Sequence, residues 1–184
     1  WRMALAEWRA VSALAALAAA MVAAPTPASL PAPVEITAPG PEGTLAGTLL
    51  DPDPKAPLVL IIPGSGPTDR DGNNPMGVAG GPYRQLAEAL AADGVASVRV
   101  DKRGMFGSKA AYPDPNAVTM SDYMTDIHSW IAAVRQRTGA SCVWLLGHSE
   151  GALVAMVSAQ NDPDVCGLVL VAAPGRPVGE ILRE

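Results

Sequence analysis

A serine flanked by two glycines, Gly147-His148-Ser149-Glu150-Gly151, constrains the fold of this chain more than any other stretch. An apolar run at 143–146 precedes it, and a helix-prone run at 152–156 follows it. This order predicts a strand, a tight turn and a helix, the setting in which a G-x-S-x-G turn presents its serine as a nucleophile. The glycines fit because a strained turn packed against its own strand and helix leaves no room for a side chain.

Short apolar runs alternate with helix-prone runs along most of the chain. The predicted strands are 34–38, 44–50, 58–62, 95–100, 142–146 and 168–172, and the predicted helices are 83–92, 121–137 and 152–160. Such alternation indicates βαβ units and a mostly parallel sheet covered on both faces. Turn residues at 40–43 predict that the first two strands form an antiparallel hairpin. The expectation is an α/β fold whose ligands bind at the carboxyl ends of the strands.

The first 28 residues are predicted to be a secretory signal peptide. Arg2 and Arg9 precede a charge-free, alanine-rich run at 11–24, and small residues with prolines follow it. This is the layout of a signal peptide, and cleavage is expected after Ala28. An uncleaved anchor or an ordinary alanine-rich helix is the alternative, although the run is shorter than the roughly 20 apolar residues of a spanning helix. We therefore expect an exported bacterial protein, periplasmic or extracellular, without a stable membrane anchor.

Composition and length indicate one globular domain after that segment. Hydrophobic residues make up 49% of the 184 residues and charged residues 17%, which is compatible with a packed core. A proline-rich linker is predicted at 29–41 and a folded domain at 42–184. The net charge of −5 argues against a nucleic-acid partner, because no basic stripe is present to neutralise phosphates. The chain begins with Trp1, and we expect it to be a fragment, with Met3 as the candidate start.

The two cysteines, Cys142 and Cys166, each stand at the start of a predicted strand. In an exported protein they could pair. A bridge between neighbouring parallel strands is geometrically awkward, so two buried free thiols are the expectation and pairing stays open.

Three motifs in chain order carry a resemblance to a known superfamily. The loop PGSGPTDRDGNN at 63–74 follows the third predicted strand, Asp101-Lys102-Arg103-Gly104 follows the fourth, and the serine turn at 147–151 follows the fifth. Together they resemble the α/β-hydrolase superfamily, and within it bacterial serine esterases of the EstD-like type. The resemblance covers about residues 34–184. It implies a partial α/β-hydrolase fold, with a mostly parallel doubly wound sheet and an antiparallel N-terminal hairpin, truncated after about the sixth strand.

The resemblance implies a serine hydrolase with Ser149 as its nucleophile. Such chemistry also needs a base and donors for the developing oxyanion. By resemblance, the backbone N–H groups of Ser65 and Glu150 would form the oxyanion hole. The remaining residues of the nucleophile elbow would be Gly147, His148 and Gly151, and His148 is expected to point into the packing behind the turn.

The acid and the histidine of a catalytic triad are expected to lie outside this chain. In the superfamily both follow the nucleophile, the acid first, and no histidine follows Ser149 here. Asp162 and Asp164 follow it, but they stand between a helix and a strand at the wrong end of the predicted sheet. His128 is expected to be a partly buried helix residue. The chain as given is therefore expected not to hydrolyse esters at an enzymatic rate.

The charged residues after the third strand, Asp69, Arg70 and Asp71, are predicted to form a salt-bridged loop that shapes the oxyanion hole. A calcium site is the alternative, but the EF-hand spacing fails. Gly64-Ser65-Gly66 lacks the third glycine of a dinucleotide-binding fingerprint. No metal and no cofactor is expected. The residues expected to anchor the next turn are Asp101 and Arg103.

The predicted function is hydrolysis of a small-molecule carboxylic ester through an acyl-enzyme on Ser149. Thioesterase and peptidase activities use the same triad and stay open. A catalytically inactive binding module that keeps the fold is the alternative from another class, and a nucleotide-binding domain is a third. Specificity is expected to reside in a cap inserted after Ala173. Residues 168–172 are expected to form an exposed apolar edge that makes the chain poorly soluble.

Overall fold

The computed structural model describes residues 30–176, 178–181 and 183. The predicted signal peptide at 1–28 lies outside the described residues. The strands are β1 (Val34–Pro39), β2 (Thr44–Leu50), β3 (Leu58–Ile62), β4 (Ala96–Val100), β5 (Val143–His148) and β6 (Val165–Val171). The helices are α1 (Pro82–Ala92), α2 (Met120–Thr138), α3 (Glu150–Ser158) and the short α4 (Val178–Ile181), with 3₁₀ turns at Phe106–Ala111 and Pro115–Ala117.

The six strands form one sheet in the order β1-β2-β4-β3-β5-β6. β1 pairs with β2, and β2 with β4, in antiparallel register, while the pairs β3–β4, β3–β5 and β5–β6 are parallel. This arrangement confirms the predicted mostly parallel sheet with an antiparallel N-terminal hairpin.

β1 lies inside the range 29–41 that the sequence predicted to be a linker. Its residues pair with β2 from Val34 opposite Leu49 to Pro39 opposite Thr44. Prolines are tolerated here because β1 is an edge strand and Pro39 is its last residue. β1 therefore belongs to the sheet from Val34, in agreement with the predicted strand at 34–38, and the predicted domain boundary at residue 42 is corrected.

Helices cover the two faces of the sheet. On one face, α2 and α3 pack on the inner strands through buried residues that include Trp130, Leu60 and Leu145. On the other face, Ala87 and Ala91 of α1 pack with Ile61 and its neighbours. Every residue of β3 and β4 is buried, as the continuous apolar run of β3 predicted. Burying one such large aliphatic side chain contributes about 1.5–3 kcal/mol.

The ends of α2 are set by side-chain capping and by a glycine. The Thr119 side chain accepts a hydrogen bond from Asp122 N, and the Asp122 carboxylate accepts one from Thr119 N, which together form a capping box. The helix therefore begins at Met120, one residue before the predicted start at residue 121. Gly139 ends it with a φ of 77°, in the left-handed region that glycine adopts readily.

Cys142 and Cys166 form a disulfide bond, so the expectation of two free thiols is wrong. Their Cα atoms are 5.2 Å apart, within the usual range for a disulfide. Cys142 precedes β5 rather than lying inside it, and the β5–β6 register is irregular between Val143 and Trp144. This irregularity relieves the constraint that disfavours bridges between regular parallel strands. The predicted export is compatible with a disulfide and stays a prediction.

β6 is an edge strand with apolar side chains in solvent. Val169, Leu170 and Val171 are each 40–43% exposed. The predicted exposed apolar edge is confirmed, whereas the poor solubility expected from it stays a prediction. No helix in the described ranges is both long and apolar enough to cross a membrane.

Candidate active site at the turn after the fifth strand

Ser149 connects β5 to α3 in a backbone conformation that L-amino acids rarely adopt. Its φ is 53° and its ψ is −116°. Such conformations cost on the order of 1–3 kcal/mol and persist only where the surrounding structure holds them. Ser149 N donates a hydrogen bond to the carbonyl oxygen of Val171 at 2.9 Å, which ties the turn to the end of β6.

Close backbone packing requires glycine at both ends of the motif. A Cβ on Gly147 would overlap the backbone of Gly151. A Cβ on Gly151 would lie 2.6 Å from the carbonyl oxygen of Pro63. As the sequence predicted, neither Gly147 nor Gly151 has room for a side chain.

Ser149 lines a cleft of about 450 Å³ at the carboxyl edge of the sheet. The loop after β3, the first turn of α1 and the end of β6 form its walls. None of the lining residues is Asp, Glu, Lys or Arg, so the described wall is apolar and hydrogen-bonding rather than charged. The lining residues are Gly64, Ser65, Thr68, Gly72, Asn74, Val78, Pro82, Tyr83, Leu86, His148, Ser149 and Val171.

The two predicted oxyanion donors are close to Ser149. Glu150 is the first residue of α3, where backbone N–H groups have no acceptor within the helix. Ser65 is exposed and lines the cleft, and the preceding Gly64 approaches Ser149 so closely that a Cβ added there would lie 3.4 Å from the Ser149 Cβ. Within residues 30–176, neither the Ser65 N–H nor the Glu150 N–H donates a hydrogen bond to a protein acceptor. Both groups are therefore available to a ligand oxygen, and the helix dipole favours negative charge there.

His148 lines the cleft, so the prediction that it points into the packing behind the turn is wrong. The Tyr83 hydroxyl lies 2.9 Å from His148 Nδ1 and accepts a hydrogen bond from Gly64 N at 3.3 Å. Burial raises the pKa of Tyr83, so the hydroxyl keeps its proton and donates a hydrogen bond to Nδ1 when that nitrogen carries no proton. Tyr83 thus connects the loop after β3 to the serine turn.

The predicted salt-bridged loop is confirmed for Arg70 and Asp71. Arg70 donates to both carboxylate oxygens of Asp101, from its backbone N at 2.8 Å and from Nε at 2.9 Å. Asp71 forms an ion pair with Arg99. Asp69 makes no ion pair in the described structure; its carboxylate accepts the backbone N–H of Asp71 at 2.9 Å. The described ranges contain no group of three or more His, Cys, Asp or Glu side chains able to hold a metal ion.

Arg103 anchors the turn after β4 to α2, as predicted. Its Nε and Nη2 donate to the two carboxylate oxygens of Asp126 at 2.7 and 2.6 Å, and Nη1 donates to Asp122 at 3.0 Å. Hydrogen bonding to Asp126 raises the pKa of Arg103. Burial raises the pKa of Asp126, although the bonds from Arg103 favour its charged form.

Lys102 contacts both segments that carry the candidate oxyanion donors, and the sequence did not single it out. Its Nζ donates to the Gly64 carbonyl oxygen at 2.8 Å and lies 3.5 Å from the Glu150 carboxylate. Its position directly after β4, at the carboxyl edge of the sheet, was the signal that could have identified it. Its burial was not expected because lysines are rarely buried.

His128 and Asp162 lie at the end of α3 remote from Ser149. His128 Nε2 is 3.0 Å from the carbonyl oxygen of Ser158 and 3.7 Å from Asp162. α3 has 9 residues, so its two ends are about 13 Å apart. Across residues 30–176, no His, Asp or Glu side chain forms a hydrogen bond with Ser149. The described structure therefore contains the serine turn and the two candidate N–H donors without a base on the serine.

A family comparison matches residues 76–180 to a hydrolase family described as serine aminopeptidase, S33. The matched segment extends from before α1 into α4 and contains the serine turn. No curated protein sequence matches the chain.

Solved α/β-hydrolase structures share the fold. The α/β-hydrolase GrgF from Penicillium sp. sh18 is 17% identical with a TM-score of 0.66, and 78% of this chain covers 46% of it. The esterase Pf2001 from Pyrococcus furiosus is 21% identical with a TM-score of 0.59, and the match covers 78% of this chain and 52% of the esterase. A thermostable carboxyl esterase from Bacillus coagulans is 18% identical with a TM-score of 0.64, and the match covers 83% of this chain and 48% of the esterase. The chain thus spans about half the length of these structures, and the predicted partial α/β-hydrolase fold is confirmed.

Proposed function

The chain belongs to the serine aminopeptidase S33 family of hydrolases, and on that premise we propose that it serves carboxylic ester hydrolysis through an acyl-enzyme on Ser149. One observation carries the proposal: strained Ser149 opens onto a cleft beside two N–H groups, those of Ser65 and Glu150, that have no protein acceptor. The motifs at 63–74 and 101–104 support the bacterial EstD-like branch within this proposal.

In the proposed reaction, Ser149 Oγ forms a bond to the ester carbonyl carbon while its proton passes to a base. The carbonyl oxygen becomes an oxyanion that accepts hydrogen bonds from the N–H groups of Ser65 and Glu150. Collapse of this intermediate breaks the bond to the leaving alkoxide, which takes up the proton. Water then attacks the acyl-serine in the same way and releases the carboxylic acid.

The base for both steps is proposed to come from outside the 184 residues. His128 is held at the far end of α3, and no hydrogen bond joins the His148 side chain to Ser149 in the described structure. The chain spans about half the length of the solved structures it matches, so the activity of the whole protein is a proposal. A binding module without turnover is the second candidate, and the lack of a base on Ser149 favours it.

The cleft favours an uncharged ester over a peptide with a free amino terminus. An aminopeptidase must bind a charged α-amino group, which requires a compensating charge or several acceptors. No carboxylate lines the described cleft, and its apolar wall is formed by Val78, Leu86 and Val171. The neighbouring Asp71 is already paired with Arg99. An ester with an apolar acyl group therefore fits the described wall better.

The proposal is tested by trapping the acyl-enzyme on the chain itself. Incubation with p-nitrophenyl butyrate, with added imidazole as the base, should place a butyryl group on Ser149, detected by mass spectrometry of the peptide that contains it. Because p-nitrophenoxide is a much better leaving group than the serine alkoxide, acylation should outpace deacylation and the adduct should accumulate. Alanine p-nitroanilide should leave Ser149 unmodified, and Ser149→Ala should lose the butyryl group. Butyrylation elsewhere but not at Ser149 would leave the binding module as the better account.

A further inference from the structure

Lys102 is an unusual residue because its charged group lies inside the protein. Only 8% of its surface is exposed. Moving an ammonium group out of water is costly unless partners compensate for the lost hydration. Burial lowers the pKa of Lys102, and the Glu150 carboxylate opposes that shift. A methionine would fill similar space without this cost, so the charge calls for an explanation.

The partners of Lys102 come from two segments that meet at Ser149. Its Nζ donates to the Gly64 carbonyl oxygen at 2.8 Å and lies 3.5 Å from the Glu150 carboxylate. The ring of Tyr123 on α2 is a third neighbour, with its centroid 5.9 Å from Nζ. The ammonium group therefore connects the loop after β3 to the first residue of α3.

The carbonyl group of Gly64 belongs to the same peptide unit as the N–H of Ser65. The described chain has no cis peptide bond, so this unit is planar with its C=O and N–H pointing in opposite directions. Fixing the Gly64 oxygen on Lys102 therefore fixes the direction of the Ser65 N–H. A charged donor on the oxygen also polarises the peptide unit and strengthens its N–H as a donor.

We propose that Lys102 is a positioning residue for the oxyanion hole, holding the Gly64–Ser65 peptide unit so that the Ser65 N–H faces the oxyanion beside the N–H of Glu150. The inference rests on the proposed function, because it assigns a role in the same reaction. Lys102 does not line the cleft, so it acts through these two residues and does not touch the substrate.

The test compares wild type with Lys102→Met in the reaction of Ser149 with an alkyl fluorophosphonate. Ser149 Oγ bonds to phosphorus, the P–F bond breaks, fluoride leaves, and added imidazole accepts the serine proton. Removing one oxyanion donor typically costs about 10²–10³ in rate. Misdirecting the Ser65 donor should therefore lower the phosphonylation rate constant at least about tenfold, with the dissociation constant of the initial complex unchanged. Lys55→Met, at an exposed loop position, is the matched control and should react like wild type.

Restoring the charge separates positioning from packing. Both cysteines of the chain are in the disulfide, so Lys102→Cys introduces a single free thiol. Alkylation of this thiol with 2-bromoethylamine rebuilds an ammonium group at nearly the length of lysine, whereas alkylation with ethyl iodide adds a neutral chain. The aminoethyl protein should recover the wild-type rate constant, and the ethyl protein should not. Equal rates for the two, or an unchanged rate in Lys102→Met, would overturn the inference.

A second readout keeps the inference separate from the proposed function. If wild type is not phosphonylated at Ser149 in imidazole, the proposed function fails. Hydrogen exchange then still tests whether Lys102 anchors the Gly64–Ser65 peptide unit. The amide of Gly64, which donates to the Tyr83 hydroxyl, should exchange faster in Lys102→Met than in wild type, while amides of β3 keep their rates. Unchanged exchange at Gly64 would overturn the anchoring whatever the chemistry of Ser149.

Discussion

At the residue scale, the turn at Ser149 is built from steric limits that the sequence makes visible. Gly147 and Gly151 occupy places where any Cβ would meet backbone, and Ser149 has a positive φ that non-glycine residues avoid. A G-x-S-x-G motif between an apolar run and a helix predicts this geometry because the limits act within five consecutive residues.

Gly151→Ala should destabilise the fold, since its Cβ would press on the carbonyl oxygen of Pro63 in the neighbouring loop. Overpacking typically costs about 1–3 kcal/mol, and backbone contacts cannot rotate away, so we expect about 2 kcal/mol or more. The measurement is the free energy of unfolding in urea. Gly175→Ala is the control, because a Cβ there has no atom within 4 Å and should change stability by less than about 0.5 kcal/mol. Equal effects of the two substitutions would contradict this account of the turn.

Other residue-scale features depend on partners far away in sequence and could not be predicted. His148 faces the cleft because Tyr83, on helix α1, engages its Nδ1. Lys102 is buried because a carbonyl of the loop after β3 reaches its Nζ. The cysteines pair because the register between β5 and β6 breaks beside them. Each outcome follows from how the elements pack, which local patterns do not specify.

At the scale of elements, hydrophobic patterning located every strand of the described sheet, and the start of β6 was the largest error. Residues 168–172 were predicted, whereas the strand begins at Val165. The start was predicted too late because Gly167 interrupts the apolar pattern, and glycine is unfavourable inside a strand. In the structure it is needed, since a Cβ there would overlap the ring of Trp144 on β5.

The capping box of α2 should make stability depend on acidic pH. Hydrogen bonds from the Thr119 side chain and backbone lower the pKa of Asp122 below its usual 3.8. A depressed folded-state pKa gives stability that is present above the unfolded value and lost as pH falls through the folded one. As the pH is lowered from about 5 to about 3, the free energy of unfolding should therefore decrease. This decrease should be less steep in Asp122→Asn than in wild type.

The exposed Asp93, whose side chain makes no hydrogen bond in the described structure, supplies the control for this slope. Asp93→Asn should keep the wild-type dependence on pH. A slope in Asp122→Asn equal to that of wild type would show that the capping box does not carry the effect.

At the scale of the whole molecule, the described residues bring together the candidate nucleophile and the two candidate oxyanion donors of the proposed hydrolase. The chain spans about half the length of the α/β-hydrolases it matches, and its last strand leaves Val169 and Leu170 in solvent. The nucleophile turn and both candidate donors lie within this half because they follow β3 and β5. The local motifs and strand order predicted that much, whereas the shape of the cleft emerged only from the packing of α1 against the loop after β3.

The central claim is that Ser149 is a positioned nucleophile that needs only a base. The most direct measurement is the rate of fluorophosphonate attachment to Ser149 as a function of imidazole concentration and pH. We predict that the rate rises with neutral imidazole, falls as imidazole is protonated, and is absent in Ser149→Ala. No attachment to Ser149 at any imidazole concentration would contradict the claim, and fast attachment without imidazole would show that the chain carries its own base.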